Sequence, residues 1–579
     1  MSESSIGGEP RFAPGVRELL IALAFAALTA LMTWPWVLHV RDHAADCGDP
    51  YFVSWTLWWD FHQTFRSPWH LFNGNILYPY RYSLAMGEHS WGTALPLFPL
   101  FAMGIRPLAA QGVAALLGFA FSGYAAFRLA RTLTGSTGAG WVAGIGFAFV
   151  PYRFQHLAHI PILATGWMAL TLEAVVLYVR KPTWKRAGWL AATYLLNALS
   201  VIHWFVLSAI PLGASFLLLL RREVEKGRRL RVFGRAAAAV GAASLLVLLS
   251  LEPYRRVAVL YGTPPGTDET LSGSAQPDDW WTVDWRNKLW FPPGQLRPPG
   301  EMSLFPGAVM PILAAAALVL LRRPRFPDAL GVGLLWVVIG VAGSFGFRFP
   351  FHRLLYELIP LYHLIRVPAR SAMLADLGLA LLAGAGAFAF SEARRRRTGS
   401  SAAGTAVFTA VSLLLLFELR VAPLGLFRGA ADPDLLTRKI AALPMKGGLV
   451  ELPSGGEAHG NYEYVLRAAD HQKPLVNGVS NLALPIVTKI EDLTSRPVIP
   501  DELISLFEEV PVSYVTVRQA WLLPAEREPL ADLFRRGLAS GRLRYVGRFD
   551  PGTQADLWAV VKTEPSDETE KTPPAGTAK

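Results

Sequence analysis

Apolar residues in this chain occur in long, nearly uninterrupted runs rather than at the spacing of amphipathic helices. A run of about 20 apolar residues is long enough to cross a bilayer as a helix. The pattern predicts eleven membrane-spanning helices, near residues 17–39, 110–130, 136–151, 160–179, 185–200, 203–220, 233–252, 304–321, 328–346, 370–391 and 402–420. We therefore expect an α-helical polytopic membrane protein.

One further apolar segment, residues 91–108, is interrupted by Pro96, Pro99 and Gly104. These residues break a helix, and broken backbone at membrane depth is tolerated only where it packs against protein. Counting the segment as a span would also invert the orientation of every helix after it. We therefore expect it to re-enter the membrane or to lie at its surface.

Several connections between the apolar runs are short and basic, and they include Arg128/Arg131, Arg180–Arg186, Arg221–Arg235, Arg322–Arg325 and Arg394–Arg397. Cytoplasmic loops are enriched in Lys and Arg. With the N-terminus inside, alternate loops place every one of these clusters in the cytoplasm. The sequence thus predicts a multi-pass protein of the bacterial cytoplasmic (inner) membrane, with large outer loops at 40–109, 253–303 and 347–369.

The chain ends in a region of soluble character. GLVELP and SYVTV are typical of strands, and two further strands flank Pro551-Gly552 as a hairpin. We expect a cytoplasmic leader (1–16), a transmembrane domain (17–421), an extracytoplasmic α/β domain (422–562) and a disordered tail (563–579).

Composition agrees with a membrane protein, since 52% of the 579 residues are hydrophobic and only 17% are charged. The net charge is +11, but the part from Val421 onward carries −3, so the basic excess belongs to the membrane part. We interpret it as a topology signal, and no nucleic-acid partner is expected. Cys47, the single cysteine, excludes an internal disulfide and a cysteine-based metal site.

The first outer loop contains Asp46 and the tripeptide Gly48-Asp49-Pro50 before a Trp-rich segment. Asp followed by Pro suits the start of a helix lying in the membrane interface. Alternatively, a carboxylate here acts as a general base or a metal ligand. Further along the same loop, Glu88-His89 pairs a carboxylate with an imidazole, which suits acid–base chemistry or metal binding but also an ordinary polar loop.

Two basic patches lie at predicted outer helix ends. Arg153, His156 and His159 repeat every three residues and would share one side of a helix. His363, Arg366 and Arg370 precede the tenth span, with Pro368 between the two arginines. Positive charge outside runs against the usual bias and suits a phosphate or pyrophosphate head group, although snorkelling at the interface is the alternative for the first patch.

The loop 253–303 places acids beside tryptophans, including Asp279, Trp280 and Trp281. Sugar rings stack on tryptophan and their hydroxyls bond to acids, so these residues are candidates for acceptor or sugar binding. The alternative is a loop anchored at the membrane by its tryptophans.

The order of these motifs, with NILYPYRYSLAMGEHS, PYRFQHLAH, LYHLIRVPAR and VELPSGG, resembles bacterial multispanning proteins of the YfhO-type family and, more distantly, the GT-C class of membrane glycosyltransferases. The resemblance covers roughly residues 20–485. It implies a GT-C-like fold and transfer of a sugar from a polyprenyl-phosphate-linked donor to an acceptor, whether glycan, lipid or protein, at the outer face of the membrane.

The resemblance also implies an acidic catalytic residue in the first outer loop, which maps to the Asp46–Asp49 stretch. We assign Asp49 as general base, with Glu88 as a second catalytic candidate, and His89 to acceptor or sugar binding. Arg153, His156, His159, Arg366 and Arg370 are assigned to the donor phosphate. Asp46 and Asp49 are also the candidates to hold a divalent metal (Mg or Mn), although they stand three apart, unlike the doubled acidic motif of the class.

Two other functions fit the sequence. A lipid-linked saccharide flippase or transporter would carry ionisable residues along a mid-membrane path, whereas here they concentrate at predicted outer helix ends. A non-catalytic envelope-assembly protein would use its outer domain to bind partners, and it would tolerate the loss of Asp49, Glu88 or Arg153 individually.

Overall fold

We analysed a computed structural model, which describes residues 14–262, 266–291, 301–320, 326–455 and 460–561. Residues 1–13 of the predicted leader, the basic cluster Arg322–Arg325 and the predicted tail 563–579 lie outside these ranges.

The first part of the chain is helical apart from one short strand. Its helices are α1 (Pro14–Met32), α2 (Trp36–His39), α3 (Asp49–Arg66), α4 (Trp91–Ala94), α5 (Phe98–Ala102), α6 (Pro107–Thr134), α7 (Thr137–Ala148), α8 (Pro151–Gln155), α9 (Ile160–Leu163) and α10 (Gly166–Arg180). Strand β1 (His43–Ala44) lies between α2 and α3. Single turns of 3-10 helix occur at Pro68–His70, Ser83–Met86 and Leu95–Leu97.

The helices continue as α11 (Trp184–Ser200), α12 (Ile202–Glu223), α13 (Lys226–Tyr261), α14 (Thr267–Ser272), α15 (Val309–Leu320), α16 (Pro327–Ser344), α17 (Pro350–Leu358), α18 (Ala372–Thr398) and α19 (Ser401–Glu418). Short 3-10 helices lie at Pro277–Trp281, Gly346–Arg348, Pro360–Leu364 and Pro368–Ser371.

Eight of the described helices are long and apolar enough to cross a membrane: Gly15–Met32, Pro107–Thr134, Ile160–Arg180, Ile202–Glu223, Lys226–Tyr261, Pro327–Ser344, Pro368–Thr398 and Ser401–Glu418. The prediction of a helical polytopic protein is therefore confirmed. The other three predicted spans coincide with α7, α11 and α15, which are shorter helices of 12, 17 and 12 residues. The segment predicted to re-enter forms a short apolar helix over Trp91–Ala102.

Close approach of backbones holds the helical core together around α18. This helix is rich in Ala and Gly, and most of its residues up to Ala387 are buried. A Cβ atom on Gly386 would lie 2.0 Å from the carbonyl oxygen of Leu313 on α15. Small residues at such crossings let membrane helices pack by van der Waals contact.

The C-terminal region combines helices with a sheet, as predicted. Its elements are β2 (Phe427–Arg428), α20 (Leu435–Ala442), β3 (Gly448–Leu452), α21 (Gly460–His471), α22 (Pro485–Thr494), α23 (Glu502–Glu509), β4 (Val512–Arg518), a 3-10 turn (Gln519–Trp521), α24 (Pro524–Ala539), β5 (Leu543–Phe549) and β6 (Ala555–Val560). The strand order is β3-β4-β6-β5. Strands β3 and β4 are parallel, and the other pairs are antiparallel.

The C-terminal region is joined to the helical part at several points. Strands β1 and β2 pair antiparallel, with His43 opposite Arg428. The Asn75 side chain donates to the carbonyl oxygen of Ala468, and α21 packs against α3. The sheet region therefore lies directly on the residues that precede and form α3.

Candidate active site

A cavity of about 250 Å³ lies where α3 and α21 meet the N-terminal ends of three candidate spans. Its charged and polar lining comprises Asp49, Thr56, Glu88, Ser90, His159, His203, Arg366, Arg370, Tyr462, Ser480 and Asn481. The cytoplasmic clusters predicted at Arg180, Arg221 and Arg394–Arg397 lie at the C-terminal ends of the same spans. The orientation of this arrangement in the membrane stays a prediction.

The local sequence places Asp49 at the first residue of α3. Gly48 is the N-cap and Pro50 occupies the first turn, where a missing N–H costs nothing. The Asp46 carboxylate accepts the Gly48 N–H at 2.8 Å, which fixes the turn that leads into the helix. Asp46 thus supports the turn, and only Asp49 of these two acids is among the residues that line the cavity.

Asp49 is held by two partners from distant parts of the chain. Its Oδ2 lies 2.7 Å from Nε2 of His159, and the Tyr462 hydroxyl donates a second hydrogen bond. Burial alone would raise the pKa of Asp49, but the His159 and Tyr462 hydrogen bonds and the Arg370 charge outweigh it, so its pKa lies below the ordinary value. The side chain remains 38% exposed. Asp49 is thus an ionised carboxylate that a ligand in the cavity can reach.

Behind His159 lies a second imidazole. Nδ1 of His156 is 3.2 Å from Nδ1 of His159, and Nε2 of His156 is 3.9 Å from Oε2 of Glu301. Among the described residues, His156 Nε2 has no hydrogen-bond partner. Burial lowers the pKa of His156 to about 3, so its ring is neutral. These three side chains present ligand atoms within 4.8 Å of one another, which is compatible with a divalent ion.

Arg370 is the central cation of the cavity. It forms a two-point ion pair with Glu301, with Nε 2.8 Å from Oε2, and its Nη1 lies 3.3 Å from Nε2 of His203. Burial acts to raise the pKa of Glu301, but His156 and Arg370 lower it well below its usual range. Arg366, the second cation of the lining, lies 3.0 Å from Glu269. Of the three arginines predicted to bind phosphate, Arg366 and Arg370 therefore line the same cavity, and Arg153 does not.

Glu88 is a second carboxylate of the cavity lining. Its Oε1 accepts the backbone N–H of Ile202 at 2.7 Å, and its Oε2 is 3.6 Å from Nδ1 of His203. Burial would raise the pKa of Glu88, but these contacts outweigh it and lower the pKa. Glu88 therefore lies beside His203, whose other ring nitrogen contacts Arg370.

His89 points elsewhere, although it follows Glu88 directly. Its Nδ1 lies 2.6 Å from the Tyr254 hydroxyl, and its ring packs edge-on against Phe72. Burial lowers the pKa of His89 to about 4. It is not among the described residues that line the cavity.

Arg153 is also separate from the cavity lining. The side chain is completely buried, and its guanidinium donates to the carbonyl oxygens of Phe147 and Leu163 and to the Thr165 hydroxyl. These bonds tie the end of α7 to the segment around α9. Arg153 therefore differs from Arg366 and Arg370, whose side chains are 33% and 12% exposed.

Of the loop 253–303, Asp279, Trp280 and Trp281 are not among the described residues that line the cavity, whereas Glu301 pairs with Arg370. Asp279 accepts the Gln276 N–H at 2.7 Å as part of a cap on its own short helix. Trp280 donates to Ser344 at 3.3 Å, and Trp281 is 78% exposed. Asp279 thus bonds within its own short helix and Trp280 bonds to the end of α16, and the assignment of all three residues to sugar binding stays a prediction.

Several lining residues were missed by the sequence analysis. His203 stands alone at the start of α12, without a motif around it, and Tyr462, Ser480 and Asn481 come from the C-terminal region. Nothing in the sequence links positions so far apart. Glu301, the partner of Arg370, lies at the end of the loop 253–303 and likewise has no motif around it.

These features define a polytopic membrane protein with a GT-C-like fold. Among solved structures, the chain is similar to the arabinofuranosyltransferase AftD from Mycobacteria, with a TM-score of 0.58 and 15% sequence identity over 95% of this chain. The chain spans 40% of the length of AftD.

Two matches have lower TM-scores. The oligosaccharyltransferase AglB from Archaeoglobus fulgidus scores 0.46, with 13% identity over 95% of this chain and 74% of AglB. ArnT from Cupriavidus metallidurans scores 0.38, with 12% identity over 96% of this chain and 100% of ArnT. No protein-family model and no curated protein sequence matches the chain. The YfhO-type resemblance stays a prediction.

Proposed function

We propose that the chain is a membrane glycosyltransferase that moves a sugar from a polyprenyl-phosphate-linked donor to an acceptor at the outer face of a bacterial cytoplasmic membrane. The observation that carries the proposal is one cavity that joins an ionised carboxylate, Asp49, to two guanidinium groups, Arg366 and Arg370. A transferase of this kind needs a base for the acceptor and cations for the leaving phosphate.

The donor phosphate would bind at Arg370 and Arg366. Both now hold carboxylates, Glu301 and Glu269, and an arginine that binds a carboxylate at two points offers the same geometry to a phosphate. Arg153 is left out of this role, because its side chain is fully buried and does not line the cavity. His156 and His159 lie behind Asp49 and would act on the base rather than on the phosphate.

The chemical step is an inverting displacement at the anomeric carbon. Asp49 takes the proton of the acceptor hydroxyl, whose oxygen forms the new bond to the sugar. The bond between the sugar and the phosphate oxygen breaks, and the polyprenyl phosphate leaves with that electron pair. Arg370 and Arg366 stabilise the charge that develops on the leaving oxygen. His159 and Tyr462 position Asp49, and Glu88 positions His203 beside Arg370.

A divalent ion fits beside this base. The unpartnered Nε2 of His156, with His159 and Glu301, forms a mixed nitrogen and oxygen donor set. Such a set favours Mn²⁺ or Zn²⁺ over Mg²⁺, which prefers oxygen ligands. When bound, the ion would supply positive charge next to the phosphate. Asp46 is not part of this set, since its carboxylate holds the Gly48 N–H.

The acceptor would enter between α3 and the C-terminal region. Tyr462, Ser480 and Asn481 form that wall of the cavity and offer hydroxyl and amide groups suited to a sugar or a peptide. The proposed partners are therefore a polyprenyl-phosphate sugar, the surrounding membrane lipid and an acceptor that is a glycan, lipid or protein.

The test is to incubate purified protein with a panel of radiolabelled polyprenyl-phosphate sugars, with and without Mn²⁺, and to follow label that leaves the lipid. Transfer predicts loss of lipid-linked label with at least one donor. In parallel proteoliposomes, a flippase would move labelled lipid across the bilayer with the label still attached. Neither release nor movement with any donor would favour the envelope-assembly alternative and contradict the proposal.

A further inference from the structure

A second cluster of metal-ligating side chains lies outside the cavity, where α2 ends and β1 begins. It consists of His39, Asp42 and His43, which offer ligand atoms within 4.8 Å of one another. Oδ1 of Asp42 lies 3.9 Å from Nδ1 of His39 and 2.9 Å from Nδ1 of His43. The two imidazole rings are 4.7 Å apart between centroids.

The backbone of this cluster is fixed by bonds that do not involve the three side chains. The Asp42 N–H donates to the His39 carbonyl oxygen at 3.2 Å, and the Gly429 N–H donates to that of Asp42 at 2.8 Å. The buried Trp36 indole donates to the His43 carbonyl oxygen at 3.1 Å. The three ligands are therefore held near one another before any ion binds, which reduces the cost of ordering them.

We propose that His39, Asp42 and His43 form a surface site for a divalent transition-metal ion, of which Zn²⁺ is the best fit. Two imidazoles and one carboxylate are ligands that Zn²⁺ accepts, in a tetrahedral site that leaves one position for water. The three side chains are 45%, 40% and 25% exposed, so solvent reaches that fourth position. The proposal does not depend on the proposed function.

The site would brace the connection to the C-terminal region. Its ligands lie in and beside β1, which pairs with β2, and Arg41 lies 3.8 Å from Asp432 across the same junction. A bound ion would join α2 to β1. It would thereby stabilise β1, the strand with which β2 pairs. Strand β2 contains the exposed Arg428, a cleavage site for trypsin.

The experiment titrates tag-free full-length protein with Zn²⁺ by calorimetry. The variants are Asp42→Asn and His43→Gln, and the matched control is His62→Gln, a partly exposed histidine that contacts Arg66 and Trp58. A Glu301→Gln variant identifies any Zn²⁺ that binds instead to His156, His159 and Glu301. Loss of one ligand should weaken Zn²⁺ binding at the surface site at least about tenfold, since even a change to a residue that only hydrogen-bonds a metal ligand costs about 10- to 100-fold. The control should bind as wild type does.

Trypsin cleavage after Arg428 gives a second readout. Zn²⁺ should slow it in wild type and in His62→Gln, but not in Asp42→Asn or His43→Gln. Unchanged Zn²⁺ binding in both site variants, or an equal loss in His62→Gln, would overturn the site. Binding that is lost as expected but leaves cleavage unchanged would overturn the bracing role.

Discussion

Two clusters of arginine and carboxylate groups can be compared, one in the cavity and one inside the C-terminal region. In the second, the fully buried Arg518 lies 2.6 Å from Asp434 and 3.4 Å from Glu451, and Trp521 covers its guanidinium. In the cavity, Arg370 has a similar carboxylate partner in Glu301 but faces open volume.

The comparison shows that burial and ion pairing alone do not mark a functional site. At Arg518, two carboxylates share one guanidinium inside a packed core. Asp434 keeps a lowered pKa because Arg518 outweighs its burial, whereas burial raises the pKa of Glu451 to about 7. In the cavity, Asp49 and Glu88 both have lowered pKa values. A ligand can reach the cluster in the cavity and cannot reach the cluster around Arg518.

The largest effect is expected for Asp49→Asn. Loss of a general base costs about 10²- to 10⁴-fold in rate, so sugar transfer should fall by at least about 100-fold while the protein remains folded. The matched variant is Asp46→Asn, which keeps an oxygen to accept the Gly48 N–H and should lower transfer far less. Initial rates of label release measure both. Wild-type turnover by Asp49→Asn would refute its role as base.

Glu451→Gln tests the buried cluster around Arg518 through the pH dependence of stability. Because the folded pKa of Glu451 is raised from 4.5 to about 7, its contribution to stability is present below pH 4.5 and is lost as the pH rises to about 7. The loss amounts to about 3 kcal/mol. Thermal unfolding between pH 5 and 8 should show this decline in wild type and a flatter profile in Glu451→Gln. Equal slopes would contradict the assignment.

Arg370→Gln should weaken transfer by about 10- to 100-fold, since a charged hydrogen bond contributes about 1.5–3 kcal/mol. It also leaves Glu301 without its cation, so stability should fall as well. The double variant Arg370→Gln/Glu301→Gln removes both charges and should regain stability without regaining transfer. Transfer rates and melting temperatures of the two variants separate binding from folding. Recovery of transfer in the double variant would rule out Arg370 as a phosphate ligand.

The smallest effect is expected for Tyr462→Phe, which removes one hydrogen bond to Asp49. A hydrogen bond of about 0.5–1.5 kcal/mol corresponds to a decrease of about 2- to 10-fold in rate. Tyr464→Phe is the control on the same helix, because its hydroxyl donates to Pro453 and not to the cavity. A decrease of the same size in both variants would indicate a general disturbance of α21.

Much of the fold could be predicted because lipid imposes a simple rule on sequence. A membrane helix must be apolar over its length, so hydropathy alone predicts α6, α12 and α18. The GT-C-like fold was likewise expected and is supported by the similarity to AftD. Hydropathy predicts a full span at α7, where the structure has a helix of 12 residues. The difference arises because hydropathy does not distinguish lipid from a protein interior.

The sequence predicts only part of the cavity lining. Asp49, His159 and Arg370 lie in motifs at helix starts, where charge beside an apolar run stands out. Arg153 has the same signal, yet its donors serve backbone carbonyls. His203 and Tyr462 carry no local signal, because their roles arise only from contacts between distant segments.

The bond between the Ala430 N–H and the Tyr51 hydroxyl joins residues 379 positions apart. A ribosome therefore makes α3 long before the segment that covers it. During synthesis the carboxylate at the start of α3 stays without its tyrosine partner, and the pocket closes only when α21 has been made. A segment made long after α3 thus completes the proposed reaction centre, which would keep a shorter nascent chain from consuming its lipid-borne substrate.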